Sequence, residues 1–230
     1  YRTVAEALAD ELRLTTTSGC NAAQWVHNTT NELGQTLSAY QVMSSLASLS
    51  DIDFAFESTA QRDFGDLPSS YSTTLSDQPV GPSHGIVAGQ ELYLGAGVSA
   101  EGNGKPSADA SADSSDDGVW VTTQWREGAG GGSVNVKVGA GSGWLAGWVD
   151  FNRNGTFADT NELVFGQSVS SATNGGLYTL AFTVPAGTFL TNAPTVLNAR
   201  FRLYPAKPTI ATYFGPADAG EVEDYQFVFG

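Results

Sequence analysis

The chain has 230 residues, 41% hydrophobic and 15% charged, with 27 glycines, a composition that favours turns and strands over long charged helices. Its net charge of −14, from 10 basic and 24 acidic residues, leaves no basic stripe for phosphates and so excludes nucleic acid as a partner. No run approaches the roughly 18 apolar residues that a membrane helix needs, so membrane insertion is not expected. The acidity fits either a soluble surface in a salty or extracellular setting or carboxylates that converge on a divalent metal.

The start at Tyr1, without Met and without an apolar leader, fits a processed mature protein or an excised segment. Thr3-Val-Ala-Glu6 is a capping-box pattern, and Val4, Leu8 and Leu12 then share one helical face. The polar stretch TTTSGCNAAQWVHNTTN reads as a loop with a short strand or turn. Cys20 within it is the single cysteine, which excludes a disulfide within the chain and leaves burial or a bridge between subunits. Residues 32–49 place Leu33, Leu37, Tyr40, Met43 and Leu46 at helical spacing. DIDFAFES, residues 51–58, alternates instead, with Ile52, Phe54 and Phe56 on one side, and predicts a half-buried strand.

The composition changes near Arg62. Beyond it the period is two and the punctuation is Gly, Pro and Asn, so residues 1–62 read as a helix-and-strand appendage and residues 63–230 as one domain. Strands are predicted at 86–94, 119–126, 133–138, 143–149, 162–169, 177–184, 196–204 and 222–229. Eight short strands with turn-rich connections predict a mainly β fold, an antiparallel β-sandwich of jelly-roll-like type preceded by a short helical segment and an extra strand. The stretch VSAEGNGKPSADASADSSDDG is a long polar loop.

The most specific local signal is Asp150-Phe-Asn152-Arg-Asn154-Gly155, followed by Asp159 and Glu162. Alternating oxygen side chains closed by a glycine turn are how a short loop wraps calcium. Glu162 falls one residue later than EF-hand spacing requires, and the flanks read as strands. Asp150, Asn152, Asn154 and either Asp159 or Glu162 are therefore candidate ligands at a β-turn, the alternative being a bare Asn-Gly hairpin. Further acids gather at Asp63-Phe-Gly-Asp66, at Asp116-Asp117-Gly118 and at Glu221, Glu223 and Asp224. Each of the first two alone reads as a turn. Burying such acids unpaired beside hydrophobic strands is costly, and only ten basic residues are available to pair them.

Several of these segments resemble one family in order. AGEVEDYQF near the end is similar to the signature of the GEVEDY domain family of secreted bacterial proteins. DFGDLPSSY resembles its opening block, and SHGIVAGQELYLGAGVSAEGNG, SSDDGV and GWVDFNRNGTFADTNE resemble the blocks that follow, so the likeness runs over roughly 63–230. It implies an extracellular, calcium-binding β-sandwich found in large surface proteins and adhesins, and it brings no catalytic role. Ser69, Ser99, Ser114 and Ser115 depart from it, standing where acids are common.

The expected function is thus a non-catalytic surface module stabilised by Ca2+, binding a glycan or peptide. Its expected metal residues are Asp63, Asp66, Asp116, Asp117, Asp150, Asn152, Asn154, Asp159, Glu162, Glu221, Glu223 and Asp224. The alternative is a self-assembling subunit, with like subunits as partners in a homo-polymer. There 51–57 would serve as a donor strand through Ile52, Phe54 and Phe56, with Cys20 as a further assembly residue. Catalysis has no motif: the histidines are His27 and His84, and no Gly-x-Ser-x-Gly is present. Glycoside hydrolysis would need two carboxylates facing across a groove. His84 is expected to be a satisfied structural histidine or a hydrogen-bond partner at a carboxylate site. Trp120, Trp125, Trp144 and Trp148 are expected to fill the core, or to form a sugar platform if exposed. Trp25 lies outside the resemblance and is a possible contact residue.

Overall fold

The computed structural model describes residues 61–230 throughout and, ahead of them, four strands: β1 (Leu12–Thr16), β2 (Ala23–Thr30), β3 (Thr36–Val42) and β4 (Phe54–Ser58). The chain divides into two units, Tyr1–Ala60 and Gln61–Gly230.

In the first unit β1 pairs with β4 and β2 with β3, both antiparallel, with Leu14 opposite Phe56 and Thr16 opposite Phe54. The helical spacing over 32–49 is not realised at Thr36–Val42, which are a strand. The same residues also alternate, with Thr36, Tyr40 and Val42 at one parity, and β-branched and aromatic side chains suit a pleated surface. Ala23–Thr30 likewise forms a full strand where a loop with a short strand or turn was expected. The capping-box segment, Cys20 and Ile52 lie outside the described residues.

The second unit is built from β5 (Arg62–Phe64), β6 (Ser83–Gly85), β7 (Tyr93–Leu94), β8 (Val119–Trp120), β9 (Gly128–Ala140), β10 (Ser142–Val149), β11 (Leu163–Ser170), β12 (Leu177–Val184), β13 (Thr195–Tyr204), β14 (Pro216–Ala217) and β15 (Glu221–Phe229). One sheet has the order β11-β10-β13-β15. A second has β12-β9-β7, with β8 also on β9. A small third sheet runs β14-β6-β5. Two predicted strands shrink. Of 86–94 only Tyr93–Leu94 pairs, because the amide of Gln90 turns back onto the Val87 carbonyl around Gly89 (φ 77°). Of 119–126 only Val119–Trp120 joins a ladder.

Alternation decides which side chains meet. Val134, Val136 and Val138 of β9 and Leu180, Phe182 and Val184 of β12 share one buried cluster with Leu145 and Val149 of β10 and Leu197, Phe201 and Leu203 of β13. The two main sheets thus form a sandwich around a single apolar core. The central strands β10 and β13 are buried on their other face as well. There Ala146, Trp148 and Tyr204 pack with Leu67, Tyr71 and Phe157. Trp125 and Trp148 are buried, Trp125 lying edge-on to Phe182, whereas Trp120 is 39% exposed. The consequence for chemistry is positional. The even residues of β13, Arg200 and Arg202, point away from the main core into the layer formed by the first loops of the unit.

Candidate metal centre

β15 begins at Glu221, one residue ahead of the predicted 222–229, so all three acids of EVEDY lie within the sheet. They reside there because alternation sends them to opposite faces and each finds donors. Asp224 stands opposite Arg200 in the β13–β15 register. The guanidinium grips it twice, Nε to Oδ1 at 2.7 Å and Nη2 to Oδ2 at 2.8 Å, with both side chains 0% exposed. Oδ2 also accepts the amides of Asp66 (2.8 Å) and Leu67 (2.9 Å). Arg200 spends Nη1 on the carbonyls of Tyr71 and Tyr213, both at 3.0 Å. Asp224 is therefore saturated by one cation and two amides.

Glu221 and Glu223 point the other way. Glu221 Oε2 accepts the Leu94 amide. Glu223 Oε1 accepts the amides of Gly118 (2.8 Å) and Asp117 (3.2 Å), and Tyr225 donates its hydroxyl to Oε2. Glycine is required at both approaches to this strand. A Cβ on Gly118 would sit 2.4 Å from Leu94 Cβ and 2.8 Å from Glu223 Oε1, and one on Gly65 would sit 2.3 Å from Asp224 Oδ2. That is the physical content of the Asp-Phe-Gly-Asp and Asp-Asp-Gly segments.

Opposite β15 lie the first-loop acids. Asp63 Oδ2 accepts the Val222 amide and Asp66 Oδ2 accepts the amides of Ala112 and Asp113. Asp63 Oδ1, Asp66 Oδ1, Asp116 Oδ2 and Glu221 Oε1 are buried with no hydrogen-bond partner among the described residues. Burial pushes Asp63 and Glu221 well up, and their acidic neighbours push the same way. Burial, and then the charge of Asp224, raises Asp66 to about 6. Glu223 is raised to about 8, chiefly by burial. Asp116 is pushed well up, first by burial and then by the charges of Asp224 and Glu223. Asp117 instead is exposed and holds the Ala96 amide at 2.9 Å, a turn residue.

Among the described residues, one group of three carboxylates is close enough to share an ion. It comprises Asp63, Glu101 and Asp113, with one oxygen from each lying within 4.8 Å of the others. Glu101 and Asp113 were not expected. They sit in the long polar loop, where no period marks them, and only the density of acids there could have pointed to them.

The 150–162 loop closes differently. Asp150 is buried, with Oδ2 accepting the Tyr71 hydroxyl (2.6 Å) and the Gly155 amide (2.9 Å) and Oδ1 accepting the Asn154 amide (3.2 Å). Asn152 and Asn154 both donate Nδ2 to Asp159 Oδ2, at 3.1 and 2.6 Å. Glu162 Oε2 accepts the Asp159 amide while its buried Oε1 has no partner, and burial raises its carboxyl to about 7. Gly155, at φ 84°, makes the turn. The loop's five candidate ligands are thus engaged by amides of the loop itself, and among the described residues its carboxylates do not form a three-acid group.

His84 serves no carboxylate. A carbonyl only accepts and a guanidinium only donates. Its 2.7 Å contact with the Ala219 carbonyl therefore places the proton on Nδ1, and Arg202 Nε, 3.0 Å away, donates to a bare Nε2. The ring is neutral, and burial first, then Arg202, holds its pKa well below the usual value. Arg202 is caged by the carbonyls of Thr212, Phe214 and Gly215 and lowered to about 10 by burial.

Residues 144–228 match the GEVED domain. The matched GEVED segment runs from β10 through almost all of β15. It contains Arg200, Arg202 and the EVEDY acids, and it is shorter than the 63–230 suggested by the motifs. No curated protein and no solved structure matches the chain.

Two outcomes follow from the burial of Arg200 and His84. Arg200→Met leaves Asp224 buried without its counter-charge and is expected to destabilise the protein by about 3–5 kcal/mol in denaturant unfolding. Adding Asp224→Leu does not restore it, because the Asp66 and Leu67 amides then lose their acceptor. His84 has a folded pKa below its unfolded value of about 6.5. Its contribution to stability is therefore complete above that pH and lost as the pH falls through it. Between pH 7.5 and 5.5 the wild type is expected to lose about 1 kcal/mol more than His84→Gln, whose amide keeps both hydrogen bonds without titrating. The carboxylates titrate in both proteins and cancel in that difference.

Proposed function

We propose that the chain is a non-catalytic extracellular surface module, a calcium-stabilised β-sandwich that acts in adhesion or ligand binding. The observation that carries this reading is the imbalance of buried charge. Asp63, Asp66, Asp150, Glu162, Glu221, Glu223 and Asp224 are all buried, and one ion pair, Arg200 with Asp224, joins a buried acid to a guanidinium among the described residues. Main-chain amides offset part of that cost, and a hard divalent cation offsets the rest. Calcium suits oxygens drawn from several loops, since it takes 6–8 ligands in flexible geometry. The same acids hold amides of neighbouring loops, an arrangement that fastens loops rather than grips a substrate.

For the ligand, the favoured surface is the open groove of about 500 Å³ between residues 119–124 and 226–229. It exposes Trp120 and Val228, an aromatic and an apolar contact for a sugar face or an extended peptide. The self-assembly reading draws no support from β4, whose strand partner is β1 of the same chain.

Thermal unfolding with calcium chloride and with EDTA tests the calcium reading. Calcium is expected to raise the midpoint and EDTA to lower it. The sign of the pH dependence follows from carboxyls raised in the fold. Their favourable contribution is complete at low pH and fades as pH rises through about 6 for Asp66, 7 for Glu162 and 8 for Glu223. Protons and calcium compete for the same oxygens, so the calcium-induced rise is expected to be larger at pH 8 than at pH 5.5. A midpoint indifferent to both additions would sink the reading.

A further inference from the structure

The loop of residues 95–118 connects β7 to β8 and is held to the body by main-chain bonds and by acids. The Glu101 amide donates to the Arg62 carbonyl at 2.8 Å, and the Phe64 amide donates to Glu101 Oε2 at 3.3 Å. The amides of Ala112 and Asp113 rest on Asp66, and that of Gly118 on Glu223. Where the loop crosses β5 it brings Glu101 and Asp113 to within 4.8 Å, oxygen to oxygen, of fully buried Asp63. Oδ1 of Asp63 is buried there with no partner among the described residues.

Among the described residues no cation answers this group. Arg62, on the same strand, turns its guanidinium to the Ser83 hydroxyl and to the carbonyls of Ser83 and Ala217. Arg200 is taken by Asp224. The Ser99 hydroxyl lies between the two loop acids, 2.5 Å from Glu101 Oε1 and 3.2 Å from Asp113 Oδ1, and it can hydrogen-bond only one of them well at a time. Oxygens drawn from a strand and a loop suit calcium, which takes 6–8 oxygen ligands in flexible geometry, better than magnesium, which demands near-ideal octahedral geometry and gives up its waters reluctantly.

We propose that Asp63, Glu101 and Asp113 bind one calcium ion, and that this ion clamps the 95–118 loop onto β5. The proposal rests on the calcium reading above and gives its ion a place. Asp63 supplies a rigid oxygen, fixed through Val222 to the GEVED strand, and the loop supplies the two mobile ones. Without the ion, three neighbouring carboxylates repel and the loop loses its strongest tie at this crossing.

The test is calorimetric titration of calcium chloride into the chain, paired with hydrogen exchange of residues 97–116. The wild type is expected to bind calcium and to gain exchange protection in that loop. Glu101→Gln and Asp113→Asn are expected to weaken binding by about tenfold or more and to abolish the gain in protection. Asp109→Asn, at an exposed acid of the same loop, is expected to leave both unchanged. Magnesium chloride is expected to bind at least about tenfold more weakly than calcium. If the wild type takes up no calcium, the broader reading fails with this one. If calcium binds but Glu101→Gln and Asp113→Asn bind as the wild type does, or protection rises elsewhere and not in 97–116, this assignment alone is overturned. Should either variant fail to fold, the exchange pattern of the wild type decides.

Discussion

The pairing of Arg200 with Asp224 is the interaction on which the rest of the second unit depends. A buried ion pair is weak grounds for stability as such, because desolvating two charges costs about as much as their attraction returns. What this pair supplies is placement. It spans adjacent strands at opposed positions, so a slip of one residue between β13 and β15 would turn Arg200 and Asp224 to different faces and strand both. The guanidinium also reaches the carbonyls of Tyr71 and Tyr213, and the carboxylate reaches the amides of Asp66 and Leu67. Two connecting segments are thereby held to one register.

The other buried acids extend the same principle without a cation of their own. Glu221, Glu223, Asp66 and Asp150 each accept at least one main-chain amide from a segment that has few ladder bonds, and Asp63 accepts that of Val222 in β15. Loops need partners for those amides, since a buried N–H left unpaired is itself costly. A carboxylate offers up to four acceptor sites in little volume, so it fastens a loop where no strand can reach. The drawback is charge, which amide dipoles offset only in part. A protein built this way gathers negative potential wherever two such loops cross, and the meeting of Asp63, Glu101 and Asp113 is that crossing.

The long strands were legible because period two is imposed wherever one face is buried. Val134-x-Val136-x-Val138, Leu180-x-Phe182-x-Val184 and Leu197-x-Ala199-x-Phe201-x-Leu203 carry it plainly, and β9, β12 and β13 form there. Pairs such as Ser83–Gly85 and Pro216–Ala217 left no signal, being too short for a period and dependent on partners distant in the chain. Thr36–Val42 misled because Leu33, Leu37 and Tyr40 satisfy a helical spacing as well, and periodicity cannot arbitrate a segment that fits both. For the site, Asp63 and Asp66 stood out through the glycine between them. Glu101 and Asp113 did not, because a ligand on an aperiodic loop is defined by where the loop crosses the body, which is a tertiary fact.

Tyr71 shows how far the arrangement reaches. Its hydroxyl donates to Asp150 at the head of the 150–162 loop, while its carbonyl accepts from Arg200. A residue of the first loop therefore joins the oxygen-rich turn to the buried pair. The matched GEVED segment, residues 144–228, holds the acids of β15 and both buried arginines. The amides those acids accept come largely from Asp66, Leu67, Leu94 and Gly118, all outside it. The segment's most distinctive residues are thus half of a contact whose other half lies in residues 61–143. Cut at residue 144, the EVEDY strand would leave Glu221 without its donor, Glu223 with the Tyr225 hydroxyl alone and Asp224 with Arg200 alone. The acidic strand is intelligible as a core strand only with those earlier loops folded against it.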